Sequence, residues 1–559
     1  MAVLESEPVQ TRQMPRREPT VADAPLPDGY YVRAFNVVLE TVAASSSDLL
    51  IPAEHEWLEQ IYALSDPGRR LYVRLLQRRA VTFRVSKLSY KDVPDVLSAG
   101  RELVKLRLAN DVPPHEIKEL AEAFTVPELE RLAPSGCPRS ARRSERIVAL
   151  CDRNAVADVA ALAGADHWLT INGHACFTVF RLCFFGNLHQ DLSEFVTTAL
   201  GTHRYEVVPL DHSNRYFRSR CQLDAHLRYH ECSLLFHMRS RHNHESLQQL
   251  VSLLPTPVDD DPHLERRLDR LRIEIARTFE RLKDDEAAHG IYTLCRRAPA
   301  RERCVRLLER IGRAADADAL LHRMLLDPDG EAEHDFARRR LSPHSATSKA
   351  FRPRTTALVL PVTTNRVEHA AAEYFARDGS CHWVENRLLT SLLGLWIWDI
   401  LFLPIRGAFF YPFHSGPTDF RERSFRVARK EALAERFAAM HESDVFEQRV
   451  SETLRQCIGI SNPLVSWELA ASPILEHALA RIPKTDLAAV FERMLDDPAQ
   501  NTSGLPDLVH FPNCGGYELI EIKGPGDALQ ANQRRWFRHF DTHSIPARVV
   551  KVRWTEVNG

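Results

Sequence analysis

Three segments near the C-terminus decide the fold of this chain: GLPDLV at 504–509, ELIEIKGPGD at 518–527 and QRRW at 533–536. The first two contain short apolar runs that are typical of β-strands. The intervening Asn513-Cys514-Gly515-Gly516 is typical of a turn, because glycine adopts the backbone angles that tight turns require. The pattern predicts two neighbouring strands, followed by a helix that carries the QRRW segment.

Charged residues interrupt the second apolar run at positions that share one face of the predicted strand. Successive side chains of a strand point to opposite faces, so Glu521 and Lys523 lie together, with Ile520 and Ile522 on the other face. Asp507 can face Glu521 from the neighbouring strand. Two carboxylates beside one ammonium suit a hard divalent cation and a water nucleophile. The alternative is a structural hairpin with solvated acids, which explains poorly why Glu and Lys share a face of an apolar strand.

The order of these residues resembles the PD-(D/E)XK nuclease motif, with Pro506-Asp507 as the PD pair and Glu521-Ile522-Lys523 as the ExK triplet. The extension Lys523-Gly524-Pro525-Gly526-Asp527, followed by Gln533 and Trp536, is similar to the VRR-NUC branch of that superfamily. The resemblance implies a C-terminal α/β nuclease domain that hydrolyses phosphodiester bonds with Mg²⁺ or Mn²⁺.

A second segment, 381–402, carries Glu385 ahead of a long apolar run that includes Thr390, Gly394 and Trp398-Asp399-Ile400. It resembles the first nuclease helix of Fanconi-associated nucleases, with slightly different spacing and flanks. The resemblance implies that Glu385 is a third acidic metal ligand. Without the resemblance, an acid favoured by the helix macrodipole would be the better interpretation. Because an unpaired charge in an apolar run is costly, we expect Asp399 to be paired and structural.

The resemblance also assigns roles to the individual site residues. Glu385, Asp507 and Glu521, together with the Ile522 carbonyl, would coordinate the metal through hard oxygen ligands. Lys523 would orient or help deprotonate the attacking water and screen the charge that develops on the phosphorane.

The helix after the second strand is predicted from its start signal and its apolar stripe. Asp527 and Gln530 have the spacing of a capping box, which places a helix start just after the strand. Gln533 then lies on the same stripe as the core residues Trp536 and Phe540. It faces inward near the strand ends, where it could position water or the lysine. A purely structural glutamine is the alternative.

Composition indicates a globular chain of several domains. The 559 residues are 44% hydrophobic and 26% charged, with a formal net charge of −2 at pH 7. Overall charge therefore does not indicate a nucleic-acid binder, and any DNA surface must come from local clusters. The longest apolar run predicts a buried core helix and not a membrane span, and the N-terminus lacks a signal-peptide core.

Cysteine usage favours a reducing intracellular compartment, because the 11 cysteines include no CxxC pair. A denser group of cysteines and histidines matches no standard zinc spacing; it comprises Cys221, His226, His230, Cys232 and His237. No cysteine precedes Cys137, so the N-terminal ubiquitin-binding finger of vertebrate relatives is expected to be missing. A bacterial protein associated with the nucleoid in the cytoplasm is the natural interpretation; a eukaryotic one would be nuclear.

We interpret the chain as mainly α-helical N-terminal and middle regions followed by the α/β nuclease domain. The predicted parts are a polar Pro-rich arm at 1–28, a helical DNA-binding region at 29–114, a SAP-like DNA-binding region at 115–215, a TPR-like helical region at 216–364, and a VRR-NUC domain at 365–559 with a helical insertion at 405–500. The family resemblance implies that the insertion blocks the surface through which small relatives dimerise, which favours a monomer.

Two basic clusters are candidates for phosphate contact. The first cluster is interleaved with aromatic residues and has no acid between its ends; it comprises Arg69, Arg70, Arg74, Arg78, Arg79, Arg84 and Lys87. The second cluster precedes and begins a predicted helix of the SAP-like region and comprises Arg139, Arg142 and Arg143. A solvated helix face is the alternative for both.

The family resemblance implies a structure-specific DNA endonuclease and 5′-to-3′ exonuclease that acts on flap or branched DNA in interstrand cross-link repair. The alternatives are a Holliday-junction resolvase or restriction-type nuclease, or a catalytically idle DNA-binding repair scaffold. The intact acids and lysine argue against an idle scaffold.

Overall fold

The computed structural model describes residues 28–111, 117–132, 138, 140–152, 166–195, 203–239, 242–258, 261–342 and 351–555. The chain forms two compact units. The first comprises Met1–Glu40, His55–His174 and His189–Arg204, and the second comprises Thr41–Glu54, Ala175–Leu188 and Tyr205–Gly559.

The N-terminal part of the chain is mainly helical, with a small antiparallel sheet. Its helices are Tyr30–Ser46, Pro52–Tyr62, Asp66–Leu76, Val96–Lys105, Ile117–Glu122, Val126–Leu132, Arg143–Asp152 and His174–Phe185. The sheet has the order β1-β3-β2, where β1 is Thr82–Arg84, β2 is Ala109–Asn110 and β3 is Trp168–Ile171. Helix Asp66–Leu76 begins at Ser65, whose side chain accepts a hydrogen bond from the Gly68 N–H at 3.2 Å. The predicted helical character of this region is confirmed.

The middle of the second unit is a run of helices that pack in chain order. They are Arg220–Met238, His244–Leu253, Pro262–Arg281, Asp285–Tyr292, Ala300–Arg310, Ala314–Leu326 and Glu331–Leu341. From Pro262–Arg281 onward each helix packs against the next one in sequence, which is the arrangement of stacked helical repeats. Asp261 and Asp284 begin two of these helices as side-chain caps.

The C-terminal sheet has the order β4-β8-β7-β6-β5. Its strands are β4 Thr355–Leu360, β5 Gly379–Trp383, β6 Leu508–Pro512, β7 Glu518–Lys523 and β8 Ala547–Trp554. β8 pairs in parallel with β4 and β7, whereas β6 pairs antiparallel with β5 and β7. A parallel pair requires a crossover, and helix Ala531–Thr542 connects β7 to β8. The predicted α/β character of the C-terminal domain is confirmed.

Side-chain alternation along β7 gives the sheet two apolar faces. Ile520 and Ile522 pack on one face, in the cluster that includes residues of helix Val367–Phe375. Leu519 packs on the other face, in the large cluster that includes helix Arg387–Trp396. Helices therefore cover both faces of the sheet. The side chain of Glu521 is fully buried on the same face as Leu519.

The apolar run after Glu385 is a buried core element, as predicted, but it is broken into helices Arg387–Trp396 and Trp398–Leu401 at Ile397. Asp399 in the second helix forms ion pairs with Arg436 at 2.8 Å and Arg449 at 2.7 Å, as expected for a paired structural acid. Among the described residues, no helix is long and apolar enough to cross a bilayer.

The insertion between the apolar run and Pro506 is helical, as predicted. Its helices are Arg423–Ala428, Lys430–Ala439, Val445–Cys457, Trp467–Ala470, Pro473–Arg481, Lys484–Asp496 and Pro498–Asn501. Arg429 separates the first two of these helices, Arg423–Ala428 and Lys430–Ala439. This side chain is fully buried, pairs with Asp419 at 2.9 Å and donates to the Ile400 carbonyl at 3.1 Å. Burying a charge requires such partners, and the break between the two helices accompanies them.

Candidate active site

The hairpin formed by β6 and β7 brings Asp507 opposite Glu521. The antiparallel register pairs Leu508 with Ile520 and Val509 with Leu519, so the next position along the ladder joins the two acids. The Oδ2 atom of Asp507 accepts a hydrogen bond from the Ile522 N–H at 2.8 Å. Gly515 and Gly516 in the turn have φ angles of +99° and +74°, which glycine adopts at little cost.

Glu521 is fully buried and its two carboxylate oxygens have different surroundings. Oε1 accepts hydrogen bonds from Lys523 Nζ at 2.6 Å and from Gln533 Nε2 at 2.6 Å. Oε2 is also buried, and it has no hydrogen-bond partner among the described residues. A buried carboxylate oxygen without a partner is costly unless a cation or water completes it.

Burial and neighbouring carboxylates raise the pKa of both acids. Burial raises the pKa of Asp507 to about 6, the carboxylates of Glu368 and Glu385 also raise it, and the Ile522 N–H and Lys523 lower it. Burial and the charge of Asp507 raise the pKa of Glu521 to about 7, against the opposing effects of Lys523 and Gln533. Both carboxyl groups are therefore easier to protonate than ordinary ones, and a cation bound beside them would favour their charged forms.

Gln533 is held by hydrogen bonds at both ends of its amide. Its Nε2 donates to Glu521, and its Oε1 accepts from the Gln530 N–H at 3.0 Å. Gln530 and Gln533 form the capping box, and the helix begins at Ala531. The capping box predicted for Asp527 and Gln530 is therefore wrong by three residues; the Oδ2 of Asp527 instead accepts from the Gly524 N–H at 3.1 Å.

A backbone hydrogen bond holds Glu385 beside Asp507. Its N–H donates to the Asp507 carbonyl at 2.8 Å, and its φ of +48° is unusual for a residue other than glycine. Asn386 Oδ1 accepts from the Leu505 N–H at 3.0 Å. These bonds tie the segment before helix Arg387–Trp396 to the loop that holds Pro506 and Asp507. Backbone strain of this kind is concentrated at functional sites.

The donor set fits a hard divalent cation. Asp507 and Glu521 are adjacent, Glu521 Oε2 lacks a partner, and oxygen ligands are those that Mg²⁺ prefers. The side chain of Glu385 is exposed. Among the described residues, no three His, Cys, Asp or Glu side chains are close enough together to hold a metal without rearrangement.

Glu368 is an acid near the site that sequence reasoning missed. It lies in the first turn of helix Val367–Phe375, which packs on β5 and β7, and its charge raises the pKa of Asp507. The only sequence signal is an acid at a helix start, which is common for reasons unrelated to function.

Several residues of the first basic cluster are engaged within the first unit. Arg84 is 8% exposed and pairs with Asp166 at 2.8 Å and Glu128 at 2.9 Å. A buried, doubly paired guanidinium cannot reach a DNA surface, so we remove Arg84 from the proposed contacts. Its burial is structural, because it clamps β1 to the segments that supply the two acids.

Other members of this cluster pair with acids or carbonyls while remaining partly exposed. Arg70 pairs with Asp66 at 2.7 Å, and Arg74 pairs with Asp92 at 2.9 Å. Arg69 donates to the Ile61 carbonyl at 3.2 Å. Lys87 is half exposed and lies 3.1 Å from Glu128. These contacts fit the alternative interpretation, in which the helix face is solvated and its cations pair with nearby groups.

Besides Lys87, the exposed cations of the two clusters within the described residues are Arg78, Arg79, Arg142 and Arg143. The guanidinium of Arg78 lies over the rings of Phe83 at 5.7 Å and Tyr90 at 5.5 Å. Arg143 donates to the Phe124 carbonyl at 3.4 Å. Arg139 lies outside the described residues.

The group of cysteines and histidines at 221–237 forms no metal cluster among the described residues. His226 is buried and hydrogen-bonds through Nε2 to Asp261 at 2.8 Å and through Nδ1 to Arg267 at 2.9 Å. Both ring nitrogens therefore have partners without a metal.

Two family models match the chain: the VRR-NUC domain over residues 441–554 and the FAN1 HTH domain over residues 29–110. The first match includes Asp507, Glu521, Lys523 and Gln533, whereas Glu385 lies outside it.

Known relatives are similar over almost the whole chain. The Fanconi-associated nuclease 1 homolog of Pseudomonas aeruginosa is 34% identical over 544 residues, which cover 94% of this chain and 96% of that protein. Human Fanconi-associated nuclease 1 is 24% identical over 644 residues, covering 94% of this chain and 62% of that protein. The crystal structure of paFAN1 bound to 2-nt 5′-flap DNA with a gap is 32% identical, with a TM-score of 0.83, and covers 95% of this chain and 100% of that one.

Proposed function

This chain belongs to the Fanconi-associated nuclease family and is a nuclease, and we propose that it cuts branched DNA near a 5′ flap with the help of Mg²⁺ or Mn²⁺. We further propose that it acts as a monomer in DNA repair at the bacterial nucleoid, including repair of interstrand cross-links. The observation that carries the proposal is the pairing of buried Glu521 with Asp507, Lys523 and Gln533 at one end of the β6–β7 hairpin.

The acids Asp507, Glu521 and Glu385, with the Ile522 carbonyl, are the proposed ligands. A divalent cation bound there would polarise the scissile phosphate and lower the pKa of a bound water. The unpartnered Oε2 of Glu521 and the raised pKa values of Asp507 and Glu521 support this assignment, because each is a cost that a cation would relieve. The exposed side chain of Glu385 can turn toward Asp507 without leaving its backbone bonds.

Lys523 and Gln533 position the reacting groups in this proposal. Hydrolysis adds a water oxygen to phosphorus and breaks one bond between phosphorus and a sugar oxygen. The ammonium of Lys523, anchored on Glu521 at 2.6 Å, would orient the water and screen the charge on the phosphorane. Gln533 would keep Glu521 oriented, because its own amide is fixed by Gln530.

Substrate preference in this proposal comes from shape. Exposed arginines such as Arg78, Arg79, Arg142 and Arg143 would contact phosphates, which carry no sequence information. The DNA present in the crystal structure of the relative is a 5′ flap with a gap, which supports a 5′ flap as the preferred shape for this chain.

A cleavage assay with matched variants tests the proposal. The chain is incubated with end-labelled 5′-flap, splayed, four-way-junction and linear duplexes in Mn²⁺, with and without EDTA. The unmodified chain should cut the flap preferentially, and Asp507→Ala should not cut. Glu518→Ala is the control, because Glu518 is an acid of the same strand that pairs with Arg548 at 3.0 Å away from the site. Undiminished cutting by Asp507→Ala would remove the assignment of the active site.

A further inference from the structure

The helix that carries Gln533 is held in place by an arginine that stacks on its tryptophan. Trp536, one turn after Gln533, is 1% exposed and donates through Nε1 to the Ser503 carbonyl at 3.1 Å. The guanidinium of Arg493, from helix Lys484–Asp496, lies 5.1 Å from the centre of the Trp536 ring. Arg493 therefore contacts the face of this helix that also carries Gln533.

Glu331 fixes this arginine from a different part of the chain. Glu331 begins helix Glu331–Leu341, the last of the stacked helices of the middle region. Its two carboxylate oxygens accept from the two terminal nitrogens of Arg493 at 3.0 Å and 2.5 Å. When two guanidinium nitrogens bind two carboxylate oxygens, the pair fixes the orientation of the arginine as well as its distance from the carboxylate.

Glu331 also pairs with a second buried arginine, Arg535, which belongs to the helix that carries Gln533. Arg535 Nε lies 3.4 Å from Glu331 Oε2. The side chains of Arg493 and Arg535 are only 11% and 8% exposed, and within the described ranges no other carboxylate lies within 4.0 Å of either guanidinium. Glu331 is half exposed, but both guanidiniums that it pairs with are buried, so removing its charge leaves two buried charges without a partner, which is costly.

We propose that Glu331 is a positioning residue for the nuclease reaction, which acts by holding Arg493 and Arg535 against helix Ala531–Thr542 and thereby fixing the Gln533–Glu521 hydrogen bond. The inference rests on the proposed function of the Glu521 site, and it gives the last helix of the middle region a direct mechanical link to that site. Glu331 pairs with Arg493, and Arg493 stacks on Trp536. Trp536 lies on the same helix as Gln533, which donates to Glu521.

The expected consequence of losing Glu331 follows from the rigidity of a helix. Two like-charged guanidiniums without their shared anion repel each other, and Arg535 belongs to the helix itself. A shift of the helix start by a few tenths of an ångström lengthens the 2.6 Å contact between Gln533 and Glu521. Loss of a residue that orients a metal ligand typically costs 10- to 100-fold in affinity or activity, and loss of a residue that acts through further contacts should cost less, about 3- to 10-fold.

The test compares Glu331→Gln with Glu309→Gln. Glu309 belongs to the same stacked helices, and both of its carboxylate oxygens accept from Nη1 of Arg340 at 2.9 Å, but Arg340 is exposed, unlike Arg493 and Arg535. The first measurement is Mn²⁺ affinity by calorimetry in the absence of DNA. Glu331→Gln should weaken it about 3- to 10-fold, whereas Glu309→Gln should leave it unchanged.

The second measurement is the single-turnover cleavage rate at saturating 5′-flap DNA, in a double-mutant cycle with Gln533→Ala. Glu331→Gln should slow the unmodified chain but have almost no further effect in the Gln533→Ala background, because it acts through that side chain. Equal losses in both backgrounds would mean a general structural effect and would overturn the proposal, as would an unchanged Mn²⁺ affinity.

Glu331→Asp keeps the experiment decisive if the glutamine variant does not fold. It retains the charge on a shorter side chain, so it should give an intermediate loss of Mn²⁺ affinity; a loss as large as that of Gln533→Ala would contradict the proposal. If the unmodified chain cuts no DNA, the proposed function fails, while the Mn²⁺ titrations still decide the role of Glu331.

Discussion

Gln533 donates to Glu521 at 2.6 Å while its own amide oxygen accepts from the Gln530 N–H at 3.0 Å. One side chain therefore begins a helix and orients a buried carboxylate of the neighbouring strand. The two roles are coupled, because the capping bond fixes the direction in which the Nε2 atom points. A glutamine at this position joins helix stability to the geometry of the site.

Gln533→Ala should reduce cleavage about 10- to 100-fold, because Glu521 loses its orienting donor. The variant also loses a capping bond of the helix, so Asn532→Ala is the matched control: Asn532 Oδ1 accepts from the Gln533 N–H at 2.9 Å, and its loss leaves the bond to Glu521. Both variants should unfold at a lower temperature in thermal denaturation, whereas only Gln533→Ala should lower the single-turnover cleavage rate. Equal activity losses in the two variants would assign Gln533 to capping alone.

Lys523→Ala should lower the cleavage rate by at least about 100-fold with little change in DNA affinity, since the ammonium acts on the reacting water and phosphate. Lys551 provides the control, because it pairs in register with Lys523 on the adjacent strand β8 and is exposed. Lys551→Ala should cut at the normal rate. Affinity is measured by fluorescence anisotropy in EDTA, and a parallel fall in affinity and rate for Lys523→Ala would indicate a binding role.

The sheet and its site were predictable because their signals are local. A strand repeats every two residues, so the face shared by Glu521 and Lys523 follows from four neighbouring letters, and the Gly515-Gly516 turn sets the register that brings in Asp507. The helical character of the remainder follows from the helical spacing of its apolar residues, whereas the α/β nuclease domain was implied by the family resemblance.

The misplaced helix start has an equally local cause. Asp527 with Gln530 and Gln530 with Gln533 have the same capping-box spacing, and the sequence does not distinguish them. The structure selects the second pair, and the Asp527 carboxylate instead accepts from the Gly524 N–H at 3.1 Å.

Long-range pairing explains why Arg84 was misread as a candidate DNA contact. Its partners Glu128 and Asp166 are 44 and 82 residues away in sequence. A run of cations without intervening acids looks the same whether the acids that pair with them are distant or absent. Only folding shows that the acids come from other segments, and the same holds for the link from Glu331 to Arg535.

Glu385→Gln should lower cleavage about 10-fold or more and raise the Mn²⁺ concentration needed for half-maximal rate, if Glu385 is a ligand. Glu373→Gln is the control, because Glu373 is an exposed acid of a nearby helix. Activity in Ca²⁺ should be poor for every variant, since Ca²⁺ accepts looser oxygen geometry than Mg²⁺. An unchanged Mn²⁺ profile for Glu385→Gln would show that the backbone strain at this residue serves only the loop.

Replacing Arg78 and Arg79 by glutamine should weaken binding to every branched DNA and flatten its salt dependence, by about 0.9 in the log–log slope for each phosphate that the protein no longer neutralises. Arg142 and Arg143 should behave in the same way. The contrasting pair is Arg70 and Arg74, which are ion-paired with Asp66 and Asp92, so their replacement should alter stability more than the salt slope. Affinity measured across a salt series separates the two outcomes.

Glu128 should make the first unit sensitive to acid. Partial burial would raise the pKa of Glu128, but hydrogen bonds from Thr125, Arg84 and Lys87 outweigh it and lower that pKa to about 2. A carboxyl group whose pKa falls on folding stabilises the fold above its unfolded pKa, near 4.5, and loses that contribution as pH drops toward 2.

Glu128→Gln cannot titrate, so the difference in free energy of unfolding between it and the unmodified chain should be largest above pH 4.5 and shrink toward pH 2, by at most about 3 kcal/mol. Glu56→Gln is the control, because Glu56 and Arg107, 3.9 Å apart in the same unit, are both exposed, and exposed pairs contribute little. Urea denaturation followed by circular dichroism at several pH values measures the difference. A difference that is constant with pH would mean that Glu128 stabilises the fold by packing rather than by its charge, and the clamp on Arg84 would then not be electrostatic.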